Sequence, residues 1–287
     1  MSDFTSDVLA WGVTRLRDLP WRRSRDPWVV LVSEVMLQQT QVARVIPKWE
    51  AFIDRFPDAA TCADAPLGDV LREWQGLGYP RRARNLHATA QRIAELGRFP
   101  SDLEGLLSLP GIGPYTARAV MAFAFELDAA VADTNIARVY ARVAGERLSP
   151  KQLQSMADDA LPTGDAWTWN QCLMDLGAVL CRPTNPGCDD CPVTARCAWS
   201  LSRRATSGRP EDPAIGSSGV SGKQGRFDGS DRQARGRLMQ ALSRGTVRRS
   251  DIARVMQRDD ATATRLLADL VEEGLCQAVG ESVRLPA

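Results

Sequence analysis

Histidine is almost absent from this sequence of 287 residues, which contains only His87. A single imidazole excludes the histidine-rich sites of most zinc hydrolases and argues against histidine-based acid–base catalysis. A large excess of one charge is missing as well, because 36 basic residues face 35 acidic ones. The chain is therefore not a generic polycationic binder, although a few well-placed groups can still meet a polyanion.

Long apolar runs and a secretory leader are also missing. No charge-free stretch approaches the ~18 apolar residues that span a bilayer. Asp3 and Asp7 stand where a signal peptide carries basic residues. We therefore expect a cytoplasmic protein. Its seven cysteines, an odd number, then favour metal binding over a disulfide framework.

The composition predicts three regions. Residues 1–200 alternate helical patterns with short Gly and Pro punctuation and predict an all-α domain. Residues 201–230 are rich in Gly, Ser, Pro and basic residues and predict a disordered linker. Residues 231–287 predict three helices and a hairpin, an order typical of a winged helix. The predicted helices are 27–41, 47–56, 81–96, 102–107, 115–125, 135–143, 152–160 and 167–180, then 235–243, 250–256 and 261–273 in the tail.

Four cysteines lie within 17 residues in the pattern C-x6-C-x2-C-x5-C. They are Cys181, Cys188, Cys191 and Cys197. Proline and glycine between them bend the chain, so that four thiolates can surround one metal centre. A [4Fe–4S] cluster takes four cysteines, whereas zinc usually takes them from two separate knuckles. The spacing favours the cluster and leaves zinc and unliganded cysteines as alternatives.

The segment LPGIGPY at Leu109–Tyr115 lies between two predicted helices. Gly111 and Gly113 permit a tight turn with outward-facing N–H groups next to a helix N-terminus, a geometry that binds phosphate. A plain connection between two helices explains the same residues equally well.

Two acidic residues are candidates for catalysis. Glu34 lies in the apolar segment PWVVLVSEVMLQQTQ, with no Lys or Arg three or four residues away. Burial disfavours the charged form of such a carboxyl and suits a general acid; a structural glutamate bonded to a helix end is the alternative. Asp133 precedes a predicted helix and is typical of an N-cap. A fixed anion there could also stabilise a developing cation.

Collinear stretches between residues 19 and 197 resemble the helix-hairpin-helix DNA glycosylases, specifically the MutY-type adenine glycosylases. The stretches are LPWR (19–22), SEVMLQQTQV (33–42), WQGLGYPRRARNLH (74–87), LPGIGPYTARAV (109–120), ADTNIARVYAR (132–142), WNQCLMDLGAVLC (169–181) and the cysteine loop (181–197). The resemblance implies a two-lobed helical fold with the active site between the lobes. It also implies base excision repair and a [4Fe–4S] cluster.

The resemblance assigns roles to individual residues. Glu34 matches the general acid that protonates adenine N7, and Asp133 matches the carboxylate that stabilises the oxocarbenium sugar. The other matches are Tyr115 and Asn135 as positioning residues of the active site, Trp21, Arg22 and Gln171 around the extruded base, Gln39 filling the gap in the duplex, Tyr79 as a base contact, and Gly111 and Gly113 at the DNA backbone. The implied partner is double-stranded DNA with a mismatched or damaged pair, bound by a nucleoid-associated monomer.

Position 115 indicates the subclass. Related endonuclease-three enzymes carry there a lysine that attacks the sugar and cleaves the strand. Tyr115 cannot form that imine, so we expect a monofunctional glycosylase.

Two departures from the family pattern bear on specificity. Pro80 stands where the family has a second tyrosine beside 8-oxoguanine, and the winged-helix-like tail stands where a Nudix-like domain is usual. We expect removal of adenine opposite 8-oxoguanine or guanine. Two alternatives stay open. The first is removal of thymine or uracil from mismatches by the same fold. The second is a non-catalytic iron–sulfur regulator that reads DNA with its tail. The acidic residues of the tail disfavour this alternative, because they repel the DNA phosphates.

Overall fold

The structure is a computed structural model that describes residues 2–205, 210–220 and 225–287. The described chain is predominantly helical with one small sheet, which confirms the predicted fold class. In chain order its elements are α1 (Ser2–Gly12), α2 (Pro27–Leu37), α3 (Val42–Arg55), α4 (Ala59–Asp64), α5 (Leu67–Glu73), α6 (Arg81–Leu96), α7 (Leu103–Leu107), α8 (Pro114–Phe123), α9 (Thr134–Ala144), α10 (Pro150–Ala160), α11 (Ala166–Asp175), α12 (Ala198–Ala205), α13 (Asp231–Arg244), β1 (Val247–Arg248), α14 (Ile252–Met256), α15 (Asp260–Glu272), β2 (Gln277–Val279) and β3 (Ser282–Arg284). Within these ranges, none of the helices is both long and apolar enough to cross a bilayer.

The chain forms two compact units. The first unit comprises Met1–Pro27, Ser101–Glu104 and Gly113–Lys223, and the second comprises Trp28–Pro100, Gly105–Ile112 and Gln224–Ala287. The C-terminal tail therefore shares a unit with the helices of residues 28–100 and does not form a unit of its own.

Helix α1 packs against the aromatic core of the first unit. The sequence analysis did not predict this helix. The Phe4 ring lies edge-on to Trp169 with ring centroids 5.8 Å apart, and 6.0 Å from the Tyr140 ring. A Cβ added to Gly12 would lie 2.4 Å from the Sγ of Cys172. Glycine is thus required at this contact between α1 and α11.

The core of the second unit is organised by α2. Leu31, Val32 and Met36 are fully buried, and the indole N–H of Trp28 donates to the carbonyl of Phe56 across 2.9 Å. Truncating one such side chain to alanine costs about 2–5 kcal/mol. The helix that carries Glu34 is therefore a firmly packed support.

The end of α2 differs from the prediction. The helix ends at Leu37, whereas its apolar periodicity predicts continuation to Gln41. Gln39 adopts a left-handed backbone with φ of 56°, and the Thr40 N–H turns back to the Leu37 carbonyl. Apolar spacing does not indicate where the backbone becomes left-handed, so the prediction from the sequence missed this turn.

The tail has the predicted order of three helices and a hairpin. β2 and β3 pair around Gly280, whose φ is 56°, and β1 adds a third strand through the Val247–Val283 pair. The sheet order is β1-β3-β2, with both pairs antiparallel. The winged-helix-like pattern is thus present within the second unit.

The predicted disordered linker over residues 201–230 requires a correction. Helix α12 continues to Ala205, and residues 210–220 pack on the first unit, where Ala214 is 2% exposed. The Leu148 N–H donates to Ser217 Oγ across 3.0 Å, and the Ser218 N–H donates to the Leu148 carbonyl. Polar contacts, which hydropathy does not detect, hold this segment. Residues 206–209 and 221–224 of the predicted linker lie outside the described residues.

Candidate active site and cysteine loop

Glu34 lies on the second unit in the middle of α2. Its exposure is 4%, and its neighbours Ser33, Val35 and Met36 on the same helix are also buried. The burial expected from the apolar sequence is thus present. The carboxyl therefore lies in a place that excludes most of the solvent.

Asp133 lies on the first unit and caps the N-terminus of α9. Its Oδ1 accepts from the Ile136 N–H across 2.7 Å, and its Oδ2 accepts from the Asn135 side-chain amide across 2.8 Å. Burial raises the pKa of the Asp133 carboxyl, and these two hydrogen bonds oppose the rise. The result is a carboxylate of fixed orientation in a poorly solvated place, which suits stabilisation of a cation.

Asn135 is held in turn by Arg138, a residue that the sequence analysis missed. Arg138 Nη2 donates to Asn135 Oδ1 across 2.8 Å and to the Gly177 carbonyl across 2.6 Å. Its Nε donates to the Cys181 carbonyl across 2.6 Å. Arg138 is 3% exposed. The signal in the sequence was an arginine three residues after Asn135, on the same helical face.

The close approach between Asn135 and the chain before Cys181 depends on Gly177. A Cβ added there would lie 2.7 Å from both Cβ and the carbonyl oxygen of Asn135. Residues Leu176–Leu180 form one wide helical turn after α11, and such turns are frequent at functional sites. This turn leads directly into Cys181.

Arg22 and Asp175 form a buried ion pair on the first unit. Arg22 Nη1 and Nη2 donate to the two oxygens of Asp175 across 2.8 and 2.9 Å. Arg17 donates to the same carboxylate, which is 0% exposed. Burial opposes the ionisation of Asp175, but the hydrogen bonds from Arg22 and Arg17 prevail and lower its pKa. Asp175 was not among the predicted site residues.

The other two predicted base-pocket residues of this unit are also buried. Trp21 is 6% exposed in the short turn Pro20–Arg23, and Gln171 is 5% exposed on α11. Gln171 lies one helical turn before Asp175 and therefore shares its face. Through the Arg22–Asp175 pair, the turn that carries Trp21 is tied to the helix that carries Gln171.

The glycine hairpin has two glycines with different requirements. Gly111 has a φ of 75°, and an added Cβ would lie 2.6 Å from Asn85 Nδ2, so only glycine fits. Gly113 is the N-cap of α8 with an ordinary φ of −96°, and a Cβ added there would meet no atom within 4 Å. Tyr115 is half-buried at the second position of α8. A polar ligand could thus approach the backbone at Gly113 closely.

Gln39 and Tyr79 are both strained residues of the second unit. Their φ angles are 56° and 49°, a left-handed conformation that costs a side-chain-bearing residue about 1–2 kcal/mol. Arg82 ties the two turns together, because Nη1 donates to the Gln38 carbonyl and Nη2 donates to the Gly78 carbonyl. Burial lowers the pKa of Arg82 to about 10, so the group remains a cation at neutral pH. Strain of this kind concentrates at functional sites.

The four cysteines of the loop line one cavity. Cys181, Cys188, Cys191 and Cys197 line it together with apolar side chains, and the Cys191 thiol interacts electrostatically with the other three. In the part of the chain that the structure describes, no three His, Cys, Asp or Glu side chains are arranged to hold a single metal ion. The four thiols therefore share one pocket.

Two arginines supply positive charge to the thiols. Arg142 Nη1 lies 3.3 Å from Cys181 Sγ, and Arg203 Nη1 lies 3.6 Å from Cys188 Sγ. Burial raises the pKa of the Cys191 thiol to about 11, so the thiolate needs nearby cations or a metal. Both guanidinium groups also lie against the Trp199 ring, at 4.5 and 4.8 Å from its centroid. This donor set fits a thiolate-ligated iron–sulfur cluster.

Comparison with known proteins identifies the family. Residues 32–162 match the family model described as HhH-GPD superfamily base excision DNA repair protein. The adenine DNA glycosylase of Mycolicibacterium smegmatis is 40% identical over 98% of this chain and 95% of its own length. The human adenine DNA glycosylase is 38% identical over 68% of this chain and 39% of its own length.

A solved structure supports the fold. The structure of a thermostable thymine-DNA glycosylase is similar with a TM-score of 0.66 and 31% identity, covering 69% of this chain and 95% of that chain. Sequence and fold thus agree on the superfamily, and the relatives by sequence place the chain more finely. The chain belongs to the HhH-GPD superfamily of base excision DNA repair proteins, within the family of the adenine DNA glycosylases.

Proposed function

We propose that this protein is a monofunctional adenine DNA glycosylase that removes adenine mispaired with 8-oxoguanine or guanine. The observation that carries the proposal is the 40% identity to an adenine DNA glycosylase over 98% of the chain. The buried Glu34 and the capped Asp133 supply the two carboxyl groups that the reaction needs. The target base leaves the helical stack before it reacts, because its glycosidic bond is inaccessible inside a duplex.

Glu34 acts as the general acid. Its proton passes to adenine N7, and the bond between N9 and C1′ of the sugar breaks with its electron pair going to the base. A water molecule then adds to C1′ and gives a proton to the Glu34 carboxylate, which restores the acid. Burial in α2 supports this role, because it holds the carboxyl in a fixed place away from most of the solvent.

Asp133 stabilises the oxocarbenium sugar that forms when adenine leaves. Its carboxylate is held by the Ile136 N–H and by Asn135, so it needs little reorganisation when positive charge develops. Asn135 and Tyr115 position the reacting groups. Since Tyr115 supplies no amine, water adds to C1′ and the strand is left intact with an abasic sugar.

The proposed base-recognition residues form two groups, one in each unit. Trp21, Arg22 and Gln171 form the pocket for the extruded adenine, and the Arg22–Asp175 ion pair keeps this pocket in shape. Gln39 fills the gap in the duplex, and Tyr79 contacts the base pair. The left-handed backbone of both residues supports such roles, because surrounding contacts must compensate for the strain.

Cys181, Cys188, Cys191 and Cys197 would hold a [4Fe–4S] cluster. When bound, it supplies four iron–thiolate bonds that cross-link the loop. Backbone N–H groups near Gly111 and Gly113 bind DNA phosphate, which explains how a chain of nearly zero net charge meets a polyanion. The protein acts as a monomer on nucleoid DNA in the cytoplasm.

Single-turnover assays test the proposal on a set of duplexes that share one sequence and differ only in the mismatched pair. Adenine should be released from duplexes that pair it with 8-oxoguanine or guanine, and the strand should break only after added alkali. Release of thymine or uracil from G mismatches instead would favour the alternative, which the similarity to a thymine-DNA glycosylase structure supports. Binding to every duplex without release of any base would indicate a regulator.

A further inference from the structure

The C-terminal tail, residues 231–287, contacts the helices that carry the Tyr79 turn. Its Pro286 carbonyl accepts from the Gly68 N–H across 3.0 Å, and its Met239 carbonyl accepts from Gln75 Nε2 across 3.3 Å. We propose that the tail braces the segment 76–84 and that Arg232, acting through Tyr79, is a positioning residue for discrimination of the base opposite adenine. This inference rests on the proposed function.

The contact between Arg232 and Tyr79 carries the inference. Arg232 Nη1 donates to the Tyr79 hydroxyl across 3.2 Å, and this bond is charge-assisted. Tyr79 has a φ of 49°, and the Arg82 guanidinium lies 5.5 Å from its ring centroid. Such a strained residue persists only where its surroundings over-determine it. The tail supplies one of those restraints.

Arg232 is itself held in place by two residues that lie just before the tail. Its guanidinium lies 5.2 Å from the Phe227 ring centroid, and Nη2 lies 3.4 Å from the Gly225 carbonyl oxygen. The side chain therefore loses little freedom in holding Tyr79, since its conformation is already restricted.

A second attachment fixes the other end of the segment. Glu273, at the end of α15, accepts from Arg81 Nη2 across 2.6 Å and also from Arg235. Its carbonyl accepts from Arg84. Burial opposes ionisation of Glu273, but Arg81 and Arg235 prevail and lower its pKa. The tail therefore holds the segment before the turn through Gln75 and after the turn through Arg81.

The charges of α15 favour a brace over direct reading of DNA. This helix is the third helix of the tail, and Arg265 is its single basic residue. Arg265 Nη2 is bonded to Asp231 across 2.6 Å, and Nη1 lies 3.5 Å from Asp269. The single cation of α15 is neutralised by aspartates, and Glu273 after its end is bonded to Arg81 and Arg84. The helix therefore offers no unpaired positive charge to a phosphate backbone.

Two variants remove the same hydrogen bond from opposite sides. Arg232→Met keeps the side-chain length and the packing on Phe227, and Tyr79→Phe keeps the ring. Arg237→Met is the matched control, because Arg237 lies on the same helix and donates to Met256 within the tail. The readout is the ratio of single-turnover adenine release opposite 8-oxoguanine to that opposite guanine.

Both variants should lower this ratio about five-fold, the size expected for one hydrogen bond. The double variant should lower it no further, and Arg237→Met should leave it unchanged. An unchanged ratio in Arg232→Met, or effects that multiply in the double variant, would overturn the inference.

Amide hydrogen exchange keeps the two proposals distinguishable. Exchange of residues 76–84 should be faster in Arg232→Met than in the wild type and in Arg237→Met. If the wild type releases no adenine from any duplex, the proposed function fails, and unchanged exchange would independently overturn the brace.

Discussion

The side-chain amide of Asn135 donates to Asp133 across 2.8 Å while its carbonyl oxygen accepts from Arg138 across the same distance. One amide therefore links the carboxylate to a buried guanidinium, which also reaches the carbonyl of Cys181. The orientation of Asp133 and the path of the chain into the cysteine loop thus depend on the same residues.

Arg138→Met should weaken both the fold and the reaction. The substitution leaves the acceptors of Asn135, Gly177 and Cys181 without their donor, at about 1–3 kcal/mol for each that stays buried. We expect a loss of about 3 kcal/mol in the free energy of unfolding and a fall of about ten-fold in adenine release, as Asn135 loses its support. Denaturant unfolding and single-turnover rates measure the two effects.

Arg118→Met is the control for that experiment. Arg118 forms a partly exposed ion pair with Asp158 in the same unit, and such pairs contribute about 0–1 kcal/mol. If Arg138→Met behaved like this control in both measurements, the network would have no role in orienting Asp133.

Asp133→Asn should separate helix capping from chemistry. Asparagine caps helices as well as aspartate, but it carries no charge to stabilise the sugar cation. We expect adenine release to fall by at least about 100-fold. A mild effect would return Asp133 to a capping role alone.

The stability of the same variant should depend on pH with a defined sign. Burial raises the folded-state pKa of Asp133 above the usual 3.8 of an aspartate carboxyl. The carboxyl therefore contributes most stability below 3.8, and this contribution is lost as pH rises through the folded-state pKa. Relative to Asp133→Asn, the wild type should be less stable at neutral than at mildly acidic pH; the opposite trend in thermal unfolding would contradict this.

Cys191→Ser should remove the visible absorbance and the iron of the purified protein, because an iron–sulfur cluster needs all four thiolates. Cys62→Ala is the control, since Cys62 is buried and belongs to the second unit, whereas the loop belongs to the first. It should keep both signals. A colourless wild-type protein that contains one zinc ion would refute the cluster.

Tyr115→Lys should introduce covalent chemistry. A lysine amine at this position can attack C1′ of the sugar and form an imine. Borohydride should then trap a protein–DNA complex that the wild type does not form. Absence of trapped complex in a folded variant would show that position 115 does not reach the sugar.

The sequence predicted the local structure better than the connections between elements. The N-cap role of Asp133, the burial of Glu34 and the tail hairpin follow from short-range patterns, and the structure has all three. The left-handed turn at Gln39 and the packing of residues 210–220 do not, because both depend on tertiary hydrogen bonds.

The supports of the site were also beyond short-range patterns. Arg138 and Asp175 are ordinary charged residues on their helices in the sequence. Their roles come from partners about 40 and 150 residues away in the chain. The resemblance identified the residues proposed to touch DNA, but it did not identify Arg138 and Asp175, which hold two of them.

The central claim is that the Glu34 carboxyl provides the proton that releases adenine. Glu34→Gln keeps the size of the side chain and removes the acid, so it should bind the adenine-containing duplex as tightly as the wild type. Single-turnover release should fall by about 1,000-fold, within the range of general acid catalysis. Release within about ten-fold of the wild-type rate, at equal duplex affinity, would contradict the account.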